Sequence, residues 1–213
     1  MNETHAGAVE KLATGISSFD LIAEGGLPKN RTTLVSGTAG SGKTVLAVQF
    51  LAAGIRDSDE HGVFVTFEES PDDIRKNMLS FAWDLTPYEE AGKWVFVDAS
   101  MIPAESSPIT GNYDLGGLLA RIQNAIRKSG AKRVSLDSLN ALFVQFENEA
   151  LMRSELFRII HALKEMGTTV VFTAERTEEY GAVTKWGFEA FVADTVIILR
   201  NLLFDERRRR TIE

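Results

Sequence analysis

The stretch GTAGSGKT, residues 37–44, constrains the fold of this chain more than any other. It fits the pattern G-x-x-x-x-G-K-[ST]. The apolar run TTLVSG (32–37) leads into it, and the amphipathic stretch GKTVLAVQFLAAGI (42–55) leads out. A buried strand, a glycine-rich turn and a helix in that order build a cradle for phosphate. Gly37, Gly40 and Gly42 let the backbone curl through Thr38, Ala39 and Ser41 until successive N–H groups converge, and the helix N-terminus adds positive field. Lys43 supplies a point charge between the β- and γ-phosphates, and the Thr44 hydroxyl is suited to Mg²⁺. The pattern therefore predicts nucleotide binding.

The rest of the chain repeats the alternation. Residues 62–69 (GVFVTFEE), 93–100, 131–138, 168–175 and 194–201 read as strands. A helix is expected from Ser70, a cap followed by Pro71 and two acids, to about Phe81. A second carries Leu115, Leu118, Leu119, Ile122 and Ile126 at helical spacing, and a third carries Met152, Leu156, Ile159, Ile160 and Leu163 and stops at Gly167. Residues 101–112, with two prolines, read as a loop, and the polar segment 176–193 as an exposed hairpin or loop. Near-continuous apolar strands alternating with helices predict an α/β fold with a mostly parallel central sheet covered on both faces. The expected organisation is a flexible segment over 1–12 and one domain over 13–213.

Two further acidic positions complete a phosphate site. Asp137 closes the apolar run RVSLD, and ligands in open α/β sheets sit at the carboxyl ends of strands, so it is the candidate partner of Thr44 at the metal. Glu68 and Glu69 follow the run GVFVTF. Adjacent carboxylates on an extended chain point to opposite sides, so one is the candidate base for an attacking water and the other tunes it.

Composition excludes other chemistries. The net charge of −7 argues against a surface built for nucleic acid, although Arg207–Arg210 form a local basic run. The chain has no cysteine, and its three histidines, His5, His61 and His161, lie far apart without metal-ligand spacing. No apolar run approaches the roughly 18 residues of a membrane span, and the first fifteen residues lack the layout of a signal peptide. The setting these features imply is cytoplasmic.

Beyond the phosphate loop, the blocks TGISSFDLIAEGGLPKN, GVFVTFEESPDDIRKNMLSFAWDL, RVSLDS, ELFRIIHALKEMG and ERTEEYGAVTKWGFEAFVADTVIILRN occur in order. Together they resemble the KaiC branch of the RecA-like P-loop ATPases, from about Ala13 onward, and within it the first, N-terminal repeat of two-repeat clock proteins. The resemblance implies a RecA-like fold, ATP with Mg²⁺, and a homo-hexameric ring with nucleotide at each subunit boundary. By position, Gly40, Ser41, Gly42, Lys43, Thr44 and Val45 would wrap the phosphates. Ser80 would make a further nucleotide contact, Glu68 and Glu69 would match the catalytic pair with Glu68 favoured as base, and Asp137 would serve the metal. A KaiB-like clock protein is the partner implied.

The resemblance has limits. The family's second repeat carries a Ser–Thr pair that becomes phosphorylated; here Ala190 and Phe191 stand nearby, which argues against autokinase activity. The rival readings are a RecA-like DNA-dependent ATPase and a non-hydrolysing scaffold held together by ATP. The first wants basic pore loops, and residues 101–114 carry no basic residue. In the family the arginine-rich segment is a strand, followed by a Lys-Leu-Arg-Gly-type motif that reaches the neighbour's ATP. Arg207–Arg210 are therefore expected in a sheet or its turn. With Glu213 as its last residue, the chain is expected to hydrolyse ATP weakly and assemble poorly.

Overall fold

The computed structural model describes residues 9–100, 115–144 and 148–213. The loop expected at 101–112 and the candidate pore segment lie outside these residues, as does most of the expected N-terminal segment. Lys11 and Leu12, assigned to that segment, instead form a short strand, β1 (Lys11–Leu12), paired antiparallel with β2 (Leu27–Pro28). Helix α1 (Ser17–Ile22) lies between them.

The main sheet has seven strands: β3 (Thr32–Gly37), β4 (Gly62–Thr66), β5 (Trp94–Asp98), β6 (Arg133–Asp137), β7 (Thr169–Glu175), β8 (Thr195–Phe204) and β9 (Arg207–Ile212). Their order is β5-β4-β6-β7-β3-β8-β9, and every pair is parallel except β8–β9. Helix α2 (Lys43–Ser58) carries the chain from β3 past β7 and β6 to β4. The carboxyl ends of β3, β4, β6 and β7 thereby come to one edge, where connections diverge and α/β sheets place ligands.

Period-two alternation assigns each strand's side chains to two cores. Leu34, Val63, Val65, Val170 and Phe172 face one core, which α5 (Leu115–Ser129) and α7 (Glu149–Glu165) cover. Val35, Phe64 and Val171 face the other, under α2 and α3 (Pro71–Leu79). All five leucines and isoleucines expected to line α5 are buried, and so are the five apolar residues expected on α7. Short helices α4 (Thr86–Glu90), α6 (Leu139–Phe143) and α8 (Glu189–Val192) complete the chain. The fold is the α/β class expected, with the mostly parallel sheet flanked by helices on both faces.

Several boundaries differ from expectation for local reasons. β4 ends at Thr66 rather than at Glu69, because the Thr66 hydroxyl donates to the Glu69 carbonyl at 2.5 Å and bends the chain. α2 runs three residues further, to Ser58, where Asp59 takes a left-handed conformation and its backbone closes onto the helix. β8 continues to Phe204 because Asp205 and Glu206, both with positive φ (47° and 59°), make the tight turn that a twisted hairpin favours. Of the segment 176–193, the first part is the largely exposed loop expected, while Phe188 and Val192 are buried, four apart, and α8 tucks them against the α7 side of the sheet.

Candidate active site

The phosphate loop joins β3 to α2, with Gly40 and Gly42 both at positive φ (72° and 103°). Gly37 is required for a different reason. A Cβ there would stand 2.3 Å from the Ser41 hydroxyl and 2.7 Å from the Leu199 carbonyl. At Gly42 a Cβ would meet nothing within 4 Å, so the backbone N–H groups entering α2 face open space. That space is a cavity of about 490 Å³ lined by residues 40–46 and, across from them, by Ile16, Gln49, Glu69, Phe81 and Arg210. Its size lies within the range of small-molecule sites.

Lys43 lies over the loop, its ammonium donating to the carbonyls of Gly37 and Thr38 at 3.0 Å each. Burial lowers its pKa, while the charges of Glu175, Asp137 and Glu68 oppose that shift. Thr44 donates its hydroxyl to Asp137 Oδ2 at 2.8 Å, and Thr173 donates to the other oxygen. Asp137 is only 6% exposed. Burial raises its pKa, and the hydroxyls of Thr173 and Thr44 and the Lys43 charge counter that. A buried carboxylate held by two hydroxyls beside a phosphate cradle is an oxygen-donor set of the kind Mg²⁺ takes, together with phosphate and water.

Glu68 and Glu69 diverge, as expected, although the bend after Thr66 rather than strand alternation separates them. Glu68 accepts from Ser138 at 2.7 Å, next to Asp137, while Glu69 accepts from Asn77 of α3 at 2.8 Å. Burial raises the Glu69 pKa, and the nearby Asp137 charge adds to that. Ser80, which the resemblance matches to a nucleotide contact, caps the end of α3. It is exposed, its hydroxyl donates back to the Asn77 carbonyl at 2.6 Å, and its neighbour Phe81 lines the cavity.

The structure also brings in residues that pattern reading missed. Thr173 is one: a hydroxyl in a buried strand, one position beyond the Leu136–Phe172 pair and so beside Asp137. A polar residue inside an apolar strand was the available signal. Asn140 accepts from the Glu175 backbone at 2.7 Å and fixes the end of β7. Arg210 of β9 donates to the Gly40 carbonyl at 3.1 Å, placing one of the four arginines at the rim of the cavity.

Comparison with known proteins gives the family. The family described as "ATPase: KaiC" matches residues 12–213. The chain belongs to the KaiC ATPase family. It is 54% identical over 213 residues to the circadian clock protein KaiC3 of Synechocystis sp., covering all of this chain and 42% of that protein. It is 52% identical over 211 residues to the circadian clock oscillator protein KaiC of Thermostichus vulcanus, covering 99% of this chain and 40% of the relative. To KaiC of Synechococcus elongatus it is 50% identical over 212 residues, 100% of this chain and 41% of the relative. The chain therefore spans about two fifths of the length of these KaiC proteins, and it is a KaiC-family ATPase domain. Among the described residues no helix is long and apolar enough to cross a membrane.

Proposed function

We propose that this domain binds ATP with Mg²⁺ and hydrolyses it to ADP and phosphate. The observation that carries this reading is the bond of Thr44 to the buried Asp137 at the start of the helix that follows a phosphate loop whose lysine lies on the loop carbonyls. The loop N–H groups and Lys43 hold the β- and γ-phosphates, while Ser41, Gly42 and Val45 continue the wrap at the start of α2. Thr44 and Asp137 would hold Mg²⁺, which when bound neutralises developing charge on the phosphates. Glu68, held by Ser138 next to Asp137, would take the proton of a water. The water oxygen bonds to the γ-phosphorus as the bond to the β–γ bridging oxygen breaks. Glu69 is the tuning carboxylate.

A ring with nucleotide between subunits is part of the same proposal. Leu21 and Ile22 of α1 stand 81% and 78% exposed, and Phe191 76%, which is costly surface for a domain that remains alone. A nucleic-acid role has little support. Arg208 donates to the Asn201 carbonyl, Arg209 stacks 4.6 Å over Phe204, and Arg210 donates to Gly40, so three of the four arginines have partners within the domain. Two of the KaiC relatives carry the name of a circadian clock oscillator, and a clock role with a KaiB-like partner is proposed on that likeness. The test is phosphate release with and without Mg²⁺, with oligomeric mass measured in the presence of a non-hydrolysable ATP analogue. Metal-independent release, or no binding of the analogue, overturns the reading.

A further inference from the structure

The phosphate loop is tied on its outer side to the segment between β7 and β8, and the tie runs through one carboxylate. Glu179 accepts from the Thr38 hydroxyl with one oxygen and from the Asn201 backbone of β8 with the other, at 3.1 Å. Thr38 is the first variable residue of the loop pattern, where phosphate binding by backbone groups requires no particular side chain. Its carbonyl is one of the two that receive Lys43. The carboxylate therefore bears on the same peptide that positions the lysine.

The segment has its own anchor to β8. Arg200 donates to the Glu179 carbonyl and lies 4.6 Å over the Tyr180 ring. At its start, the Arg176 backbone donates to the Gly37 carbonyl at 3.2 Å, the other carbonyl that receives Lys43. Losing the Thr38 contact would thus leave the segment attached to the sheet while removing its side-chain link to the loop. Any nucleotide that draws Lys43 off these carbonyls shifts the peptides to which the segment is tied.

We propose that Glu179 is a positioning residue that couples the phosphate loop to the 176–193 segment, so that nucleotide arriving at the loop changes the segment. This rests on the loop being the nucleotide site. The experiment measures amide hydrogen exchange over 176–193, and affinity for a non-hydrolysable ATP analogue with Mg²⁺. It uses the wild type, Thr38→Val, Glu179→Ala, Glu179→Gln and the double variant Thr38→Val/Glu179→Ala. Expected are a nucleotide-dependent change of exchange in the wild type and its loss in Thr38→Val at saturating analogue. Each of Thr38→Val and Glu179→Ala should weaken affinity about three- to tenfold, a single hydrogen bond's share, with partial rescue in Glu179→Gln. The double variant should be no weaker than the worse single one. Exchange that responds equally in Thr38→Val, or losses that multiply in the double variant, overturn the coupling. Tight binding with a silent segment in the wild type overturns the coupling alone; absence of binding overturns the nucleotide reading and the coupling with it.

Discussion

The middle of the sheet and its β8–β9 edge treat charge in opposite ways. In the middle, Asp137 at the end of β6 is buried, and Thr44 of α2 and Thr173 of β7 each give one of its oxygens a hydroxyl partner, so the carboxylate has one arrangement. At the edge, residues 207–210 are all exposed, and their contacts are single bonds or ring stacking. A buried group that loses its partner pays the full desolvation cost, whereas a surface cation replaces its partner with water. The middle should therefore be brittle and the edge tolerant.

The largest break is expected from Glu68→Gln: phosphate release should fall by about 10²–10⁴, the scale of general-base catalysis, while analogue affinity stays near wild type. Equal turnover would remove Glu68 as base. Lys43→Ala should weaken analogue binding by about 10²-fold or more, read by titration, since a preorganised cation in a partly buried site is lost. Asp137→Asn is expected to raise the Mg²⁺ requirement by about 10- to 100-fold. Asp137 also has a pH signature. Because burial raises its folded pKa, the native state holds the proton more tightly than the unfolded chain. Without Mg²⁺, stability should fall as pH rises from about 4, the unfolded value, through the folded value, and level off above it. Thermal melts of Asp137→Asn should lack that slope, and added Mg²⁺ should offset it by favouring the carboxylate.

Smaller effects belong to the edge. Arg210→Ala is expected to weaken nucleotide affinity only about two- to fivefold, because it removes one bond to the Gly40 carbonyl at the cavity rim. Arg209→Ala, which loses only the stacking on Phe204, should change stability by about 0.5 kcal/mol or less in chemical denaturation. A tenfold loss of affinity from Arg209→Ala would erase the contrast between the two regions.

Legibility in the sequence followed the same division. Strands β3, β6 and β7 are apolar runs that end in residues with special geometry, and the phosphate loop and Asp137 could be placed from them. Helix α5 was readable because its five apolar residues keep helical spacing. What could not be read depended on contacts remote in the chain. Thr173 meets Asp137 only through strand register, and Glu179 meets Thr38 across 141 positions. Ser80 is matched to the nucleotide by likeness alone; its hydroxyl bonds to its own helix, beside the Phe81 that lines the cavity. The 176–193 segment is the expected loop over its polar first part; its buried end escapes pattern reading because polar residues outnumber Phe188 and Val192.

Among the described residues β9 pairs with β8 on one side only, and its other side has no strand beside it. Such a strand invites stacking by any sheet that meets it. Four consecutive arginines make that encounter selective by repulsion: a second copy of the same edge brings the same positive charge and is turned away. A strand that docks there has to carry acidic side chains or supply counter-charge from elsewhere. The arginine run thus sets the charge that any strand meeting β9 would have to match.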